Sequence, residues 1–145
     1  MTDTLTSAKG LTKQTPGGNA NTWGAILNST LDLVDKALGQ TLTKALAGNV
    51  TLTATEIQNV GFNFTGALAG SVTVTFPTFY GPAIIRNKTT GGFSIIVGMA
   101  SGTTVTVGDN TSALVFSDGT DFASTNSDAG NITSGTVAAA RLPAS

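Results

Sequence analysis

Only one stretch of this chain repeats its apolar residues at the spacing of an α-helix, and it runs from Asn21 to Gly39. Apolar residues recur there at steps of three and four and fill one arc of the helix, while polar residues such as Asp32 occupy the opposite side. Thr22 or Asn21 can cap the first turn, and Gly39 can end the helix in the left-handed conformation. The sequence therefore predicts one amphipathic helix over residues 21–39.

The apolar arc of this helix is wide enough to contact two neighbours. It consists of two interleaved stripes, a width that suits a helix packed between two others, as in a homotrimer. A helix lying on its own β domain gives the same pattern, so periodicity leaves both arrangements open. The predicted trimer helix interface consists of Trp23, Ile26, Leu27, Thr30, Leu31, Leu33, Val34, Ala37 and Leu38.

After residue 39 the apolar residues alternate with Thr, Ser and Asn. Short alternating segments separated by turn residues recur about every 8 to 12 residues, a spacing typical of an antiparallel sandwich or barrel. The most continuously apolar segment, Tyr80 to Asn87, is expected to be a central strand, and Thr89-Thr90-Gly91-Gly92 is a hairpin signal. We therefore predict a mainly β chain, with an antiparallel β-sandwich or barrel-like module over residues 40–122.

The alternation also selects the residues of the core. This core is modest for about 75 residues, so we expect neighbouring chains to add to its stability. The predicted core residues are Val50, Leu52, Val60, Phe62, Phe64, Val72, Val74, Phe76, Ile84, Phe93, Ile95, Val97, Val105, Val107 and Val115.

The composition restricts the possible functions. Charged residues make up only 10% of the chain and the net charge is −1, so no basic stripe for nucleic acid is expected. The chain has no cysteine and no histidine, which removes disulfides, thiolate chemistry and the commonest acid–base and metal-binding side chain. A membrane-spanning helix needs about 18 consecutive apolar residues, and no such run occurs.

The two ends of the chain differ from its middle. Residues 1–20 are rich in Gly, Pro and Thr without an apolar period, and we interpret them as an extended docking arm that becomes ordered on a partner. Its candidate anchors are Leu5, Leu11 and Lys13; a terminus without a role is the alternative. Residues 123–145 are small and polar, and we interpret them as an extended lead-out segment.

The sequence offers no convincing catalytic set. Ser and Thr are abundant but have no histidine base, and Glu56 is the only glutamate. A carboxylate pair would require two of Asp109, Asp118 and Asp121 to face one cleft. Asp118-Gly119-Thr120-Asp121 with Asp109 and Asn110 could supply oxygens to a calcium ion, but Asp118-Gly119 is an ordinary turn pair. We therefore expect a non-enzymatic chain without a cofactor or a metal.

Several short motifs follow one another in a particular order. They are Trp23-Gly24-Ala25-Ile26-Leu27-Asn28 with Leu31-Asp32-Leu33-Val34-Asp35, Asn49-Val50-Thr51-Leu52-Thr53, Thr65-Gly66-Ala67-Leu68, Val72-Thr73-Val74-Thr75-Phe76-Pro77, Asn87-Lys88-Thr89-Thr90-Gly91-Gly92-Phe93, Asp118-Gly119-Thr120, and the closing segment from Gly130 to Pro143. Their order over residues 11–143 resembles that in bacteriophage tail-fibre and related virion-fibre proteins, above all in the parts that anchor the fibre to the particle.

This resemblance implies a structural virion protein. It implies a homotrimer that docks on another virion protein, a tail or baseplate adaptor rather than the capsid, with a distal fibre part or a second fibre protein at its C-terminal end. Its implied location is the phage tail, after assembly in the host cytoplasm. Two alternatives remain: a capsid-bound head fibre or decoration protein, and a carbohydrate-binding β-sandwich that contacts the host receptor.

Overall fold

The computed structural model describes residues 2–6 and 10–125, and this part of the chain is mainly β with one α-helix. The helix α1 covers Trp23–Gly39, and a single 3₁₀ turn covers Glu56–Gln58. The strands are β1 (Thr4–Leu5), β2 (Thr12–Lys13), β3 (Thr41–Ala45), β4 (Val50–Thr51), β5 (Gly61–Ala67), β6 (Val72–Phe76), β7 (Tyr80–Thr90), β8 (Ile95–Met99), β9 (Val105–Val107), β10 (Ser112–Asp118) and β11 (Phe122–Ser124). In this part of the chain no helix is long and apolar enough to cross a membrane.

The ends of α1 differ from their predicted form. Thr22 occupies the N-cap position without a side-chain capping bond, and its backbone N–H donates instead to the Asn19 carbonyl at 2.9 Å. Gly39 belongs to the helix, and the next residue, Gln40, is extended at φ −84° and ψ 149°. The predicted side-chain cap and the left-handed Gly39 are therefore wrong. The helix passes directly into β3, so the chain needs an extended residue here and not a reversal.

The strands form two larger sheets and one small hairpin. The five-stranded sheet has the order β11-β10-β7-β5-β3, the four-stranded sheet has the order β4-β6-β8-β9, and β1 pairs with β2. Strand β7 is the middle strand of the larger sheet, which confirms the expectation that the segment from Tyr80 is central. The prediction of a mainly β chain is confirmed, but the sheets are mixed and not antiparallel.

The parallel pairs arise from the path of the chain. From β3 to β8, consecutive strands alternate between the two sheets, so strands that are neighbours within a sheet are two apart in sequence. Strands two apart run in the same direction, and β3, β5 and β7 are parallel, as are β4, β6 and β8. The chain thus makes three stacked coils. The later strands β9, β10 and β11 then pair antiparallel with what precedes them.

The predicted hairpin at Thr89–Gly92 is wrong for the same reason. Strand β7 before it and strand β8 after it belong to different sheets, so these residues form a corner between sheets. A second corner, at Gly66, has the same construction. Gly66 (φ +109°) and Gly91 (φ +112°) both lie under a leucine carbonyl of the preceding coil, and a Cβ on either would come within 2.3 Å of that oxygen. The leucines are Leu46 and Leu68, so one corner geometry recurs in successive coils.

The core lies between the two sheets and is centred on phenylalanines. Phe62 of β5 and Phe76 of β6 meet edge to face with ring centroids 4.9 Å apart, and this contact joins the two sheets. Phe79 and Phe122 complete the cluster. The buried apolar residues are Leu46, Leu52, Phe62, Phe64, Leu68, Val72, Val74, Phe76, Phe79, Ala83, Ile85, Ile95, Val97, Val105, Val107, Ala113, Val115 and Phe122.

Most of the predicted core is confirmed, with one clear error. Alternation places Ile84 in the core, but its side chain is 46% exposed and Ile85 is fully buried. The inward residues of β7 are Ala83, Ile85, Asn87 and Thr89. The alternation of this strand therefore has the opposite phase to the one that places Ile84 inward. Val50 and Phe93 are partly buried and pack against the core.

Candidate interaction surfaces

The apolar residues of α1 divide into two groups in the structure. None of its residues is buried. Ile26, Thr30, Leu33, Val34 and Ala37 are half-buried. Of the other predicted interface residues, Trp23 is 59%, Leu27 41%, Leu31 54% and Leu38 77% exposed. We call the last three the leucine stripe. One side of the helix thus faces the rest of its own chain, and the leucine stripe does not.

The C-terminal end of α1 is fixed to the larger sheet by backbone hydrogen bonds. The Val60 N–H donates to the Lys36 carbonyl at 3.2 Å, and the Gly61 N–H donates to the Gln40 carbonyl at 3.1 Å. The Ile84 N–H in turn donates to the Val60 carbonyl at 2.9 Å. This chain of bonds sets the position of the last helical turn relative to β5 and β7.

The predicted docking arm has local structure in its described part. Strands β1 and β2 form a two-residue antiparallel hairpin. Asp3 ties this hairpin to the segment before α1, since its carboxylate accepts the Thr15 N–H at 2.9 Å and the Asn19 side-chain amide at 2.8 and 2.9 Å. These hydrogen bonds, with the Thr15 backbone bond first, lower the pKa of Asp3. The arm therefore has a defined geometry beside the helix.

The three predicted anchors of the arm differ in exposure. Leu5 is 66% exposed, Lys13 is exposed, and Leu11 is half-buried. Leu5 also borders a shallow pocket of about 310 Å³ whose other walls include Ile57 and Phe79. The structure thus leaves Leu5 and Lys13 accessible to a partner and places Leu11 against its own chain.

Two of the aspartates singled out in the sequence, Asp118 and Asp121, accept backbone hydrogen bonds. Asp118 Oδ1 accepts the N–H groups of Thr120 and Asp121, both at 2.9 Å, and these bonds lower the pKa of Asp118. Asp121 Oδ1 accepts the Thr103 N–H at 2.6 Å. The interpretation of Asp118-Gly119 as a turn is confirmed. Within residues 2–6 and 10–125, no group of three or more acidic, His or Cys side chains is placed to hold a metal.

Glu56 makes the one ion pair of the described residues, with Lys44 of β3. It also forms a reciprocal capping pair with Thr53: the Glu56 carboxylate accepts the Thr53 N–H at 2.8 Å, and the Thr53 hydroxyl accepts the Glu56 N–H at 3.2 Å. The Lys44 hydrogen bond, followed by the Thr53 backbone bond, lowers the pKa of Glu56. This group holds the connection between β4 and β5 against β3, which is a structural role.

A second exposed apolar surface lies on the outer face of the five-stranded sheet. Ile84 is 46%, Leu114 45% and Phe116 52% exposed. In the sheet register Ile84 lies opposite Leu114, and Phe116 lies opposite both Pro82 and Ala123. We call these five residues the sheet patch. The sequence places Ile84 in the core and does not indicate that Leu114 and Phe116 lie beside it, because alternation does not report which strands are neighbours.

The comparisons with known proteins add no identification. No family model, no curated protein and no solved structure matches this chain.

Proposed function

We propose that this chain is the particle-anchoring part of a bacteriophage tail fibre and acts as a homotrimer. The observation that carries the proposal is the leucine stripe: α1 has no buried residue, and Leu27, Leu31 and Leu38 are left exposed by their own chain. An amphipathic helix gains most of its stability from packing its apolar face. The order of the fibre-like motifs along the sequence supports the same proposal.

The proposed mechanism is mechanical. The arm docks on a tail or baseplate protein through Leu5 and Lys13, and three helices set the three-fold register of the fibre. The two-sheet body transmits the attachment to whatever follows at the C-terminal end. No reaction is part of this proposal, and the carboxylates of Glu56, Asp118 and Asp121 accept hydrogen bonds from their own chain.

Two measurements test the proposal. Light scattering on the purified chain should give about three times the chain mass of 14.5 kDa. Density from intact particles should place the chain at the tail, with the arm against a tail or baseplate protein. A Leu5→Glu variant should remain folded and fail to enter particles, whereas Thr2→Glu on the same arm should enter normally. Density at the capsid would favour a head fibre or decoration protein.

A second candidate function is contact with a carbohydrate receptor. Tyr80 and Phe116 are both exposed, and both lie on the outer face of the five-stranded sheet. Exposed aromatic rings offer an apolar face on which sugar rings stack. Glycan-array binding by the wild-type chain, lost in Phe116→Ala and retained in Thr90→Ala, would establish this function.

A further inference from the structure

We propose that the sheet patch is a second self-association surface, occupied by the sheet patch of another copy of this chain. The proposal rests on the proposed homotrimer and extends it from the helix to the β body. It accounts for exposed Ile, Leu and Phe side chains on a sheet face whose other outward residues are mostly polar.

The apolar residues of this outer face are confined to one area. The outward positions on β7 are Tyr80, Pro82 and Ile84, followed by Arg86, Lys88 and Thr90. On β10 the outward residues Leu114 and Phe116 lie between Ser112 and Asp118. Ile84 and Pro82 lie opposite Leu114 and Phe116, Tyr80 lies opposite Asp118, and polar residues follow at the end where Arg86 lies opposite Ser112. A compact apolar area with a polar rim is typical of a protein interface.

The sheet patch and the leucine stripe meet at one groove. Leu38 of α1 and Ile84 of β7 line one groove of about 310 Å³. The backbone bonds from Lys36 to Val60 and from Val60 to Ile84 hold these two ends in fixed positions. A copy that packs along the leucine stripe is therefore brought to the sheet patch by the same approach. Because the sheet patch adjoins the helix surface, we infer that a second copy occupies both.

The charges near this surface fit a second copy better than a strongly charged partner. Asp35 borders the leucine stripe by helical spacing, and Arg86 follows Ile84 on the outer face and lines the same groove. A second copy presents both a carboxylate and a guanidinium group to this surface. The net charge of −1 per chain causes little repulsion between two copies. The patch itself contains no charged side chain.

Single cysteines provide a direct test, because the chain has no cysteine of its own. The variants are Leu114→Cys in the sheet patch, Leu31→Cys in the leucine stripe and Thr90→Cys as the control on the same outer face. Each is treated with a short bifunctional maleimide. We expect cross-linked chains from Leu114→Cys and Leu31→Cys, and none from Thr90→Cys above the background of random collision.

A charge at the same sites gives the energetic test. Leu114→Glu should weaken self-association by at least about tenfold in dissociation constant, since a carboxylate would be buried in the contact. Thr90→Glu should change it by less than about twofold. Far-ultraviolet circular dichroism checks that both variants remain folded, as expected for positions already exposed to solvent.

The outcomes separate this inference from the proposed function. Cross-linking at Leu31 without cross-linking at Leu114, together with unchanged association of Leu114→Glu, would overturn the sheet-patch proposal and leave the helical trimer intact. A wild-type chain that stays monomeric would overturn both associations. A patch that binds glycans while Leu114→Glu still associates like the wild type would assign the surface to a receptor and overturn the present proposal.

Discussion

Asn87 donates a hydrogen bond from its Nδ2 to the Val107 carbonyl at 3.2 Å, and this bond joins the middle strand of the larger sheet to the smaller sheet. The same amide donates to the Phe93 carbonyl at 3.0 Å, and its Oδ1 accepts the N–H and the hydroxyl of Thr89. Asn87 is fully buried. A buried amide with all these bonds satisfied sets the relative position of the two sheets.

Replacing Asn87 with Leu should therefore lower the free energy of unfolding by about 2–4 kcal/mol, because the carbonyls of Phe93 and Val107 would lose a buried donor. Thr90→Ala, at an exposed position on the same strand, should cost less than about 0.5 kcal/mol. Urea denaturation at one fixed protein concentration measures both. An Asn87→Leu variant as stable as the wild type would mean that the amide contributes nothing net to the packing of the sheets.

The glycine corner gives a second prediction. Gly66→Ala should lower the free energy of unfolding by about 3 kcal/mol or more, since the new Cβ meets the Leu46 carbonyl at a positive φ. Gly70→Ala is the matched control, because a Cβ there meets no atom within 4 Å. It should change stability by less than about 1 kcal/mol. Thermal or chemical unfolding distinguishes the two, and similar losses in both would contradict the corner geometry.

The Glu56–Lys44 pair predicts a pH dependence of stability. The pKa of Glu56 is lowered from its ordinary value of 4.5 in the folded chain, so the folded state binds the proton more weakly than the unfolded state. Its contribution is therefore fully present above pH 4.5 and is lost as the pH falls through the lower folded pKa. At neutral pH, Glu56→Gln should cost roughly 1 kcal/mol or less.

The measurement is a set of urea denaturation curves from neutral pH down to about 3, a range set by the ordinary carboxylate pKa values. The difference between wild type and Glu56→Gln should shrink as the pH falls through the folded pKa. Adding Lys44→Met to both chains completes a double-mutant cycle that isolates the pair. A difference that stays constant across this range would show that ionisation of Glu56 does not stabilise the fold.

The leucine stripe gives a fourth prediction. Leu31→Glu should shift the homotrimer toward smaller species, with association at least about tenfold weaker, because the carboxylate would be buried between helices. Ser29→Glu, at an exposed position opposite the leucine stripe by helical spacing, should leave the mass unchanged. Sedimentation over a range of protein concentrations measures both. Equal masses for wild type and Leu31→Glu would remove the helix from the proposed interface.

The local structure of the chain was largely predictable, whereas its pairing was not. Alternation located most strands, and the turn pairs at Ser101-Gly102 and Asp118-Gly119 mark true reversals. Alternation reports which face of a strand is apolar but not which strand lies beside it. The parallel pairing of the coils therefore could not be predicted from alternation.

One signal in the sequence does point to the coils. Residues 45–52 read Ala-Leu-Ala-Gly-Asn-Val-Thr-Leu, and residues 67–74 read Ala-Leu-Ala-Gly-Ser-Val-Thr-Val. A repeated segment of this kind indicates stacked units. In the structure, Leu46 and Leu68 are both buried at equivalent corners.

The surfaces were predictable in part. The helical period located the residues of the leucine stripe, but only the tertiary structure shows that Ile26 and Leu33 turn toward their own chain while Leu31 does not. The sheet patch was invisible because Ile84 and Ile85 are adjacent and equally apolar. The phase of β7 is decided by its neighbours Ala83 and Asn87, which are both fully buried. The rule that the apolar face of a strand is the buried face fails on β7, because the polar residue Asn87 is one of its inward residues.

The corners at Gly66 and Gly91, where a glycine lies under a leucine carbonyl, determine how a β structure built from such coils can change its length. Each coil adds one strand to each sheet, and neighbouring strands are about 4.8 Å apart. An in-frame duplication of residues 47–68 would supply its own glycine, Gly66, and its own leucine carbonyl, that of Leu68, so the new layer would fit between the old ones without a new type of contact. The length of the β body along the direction in which its coils stack can therefore change only in whole layers, each one strand spacing long.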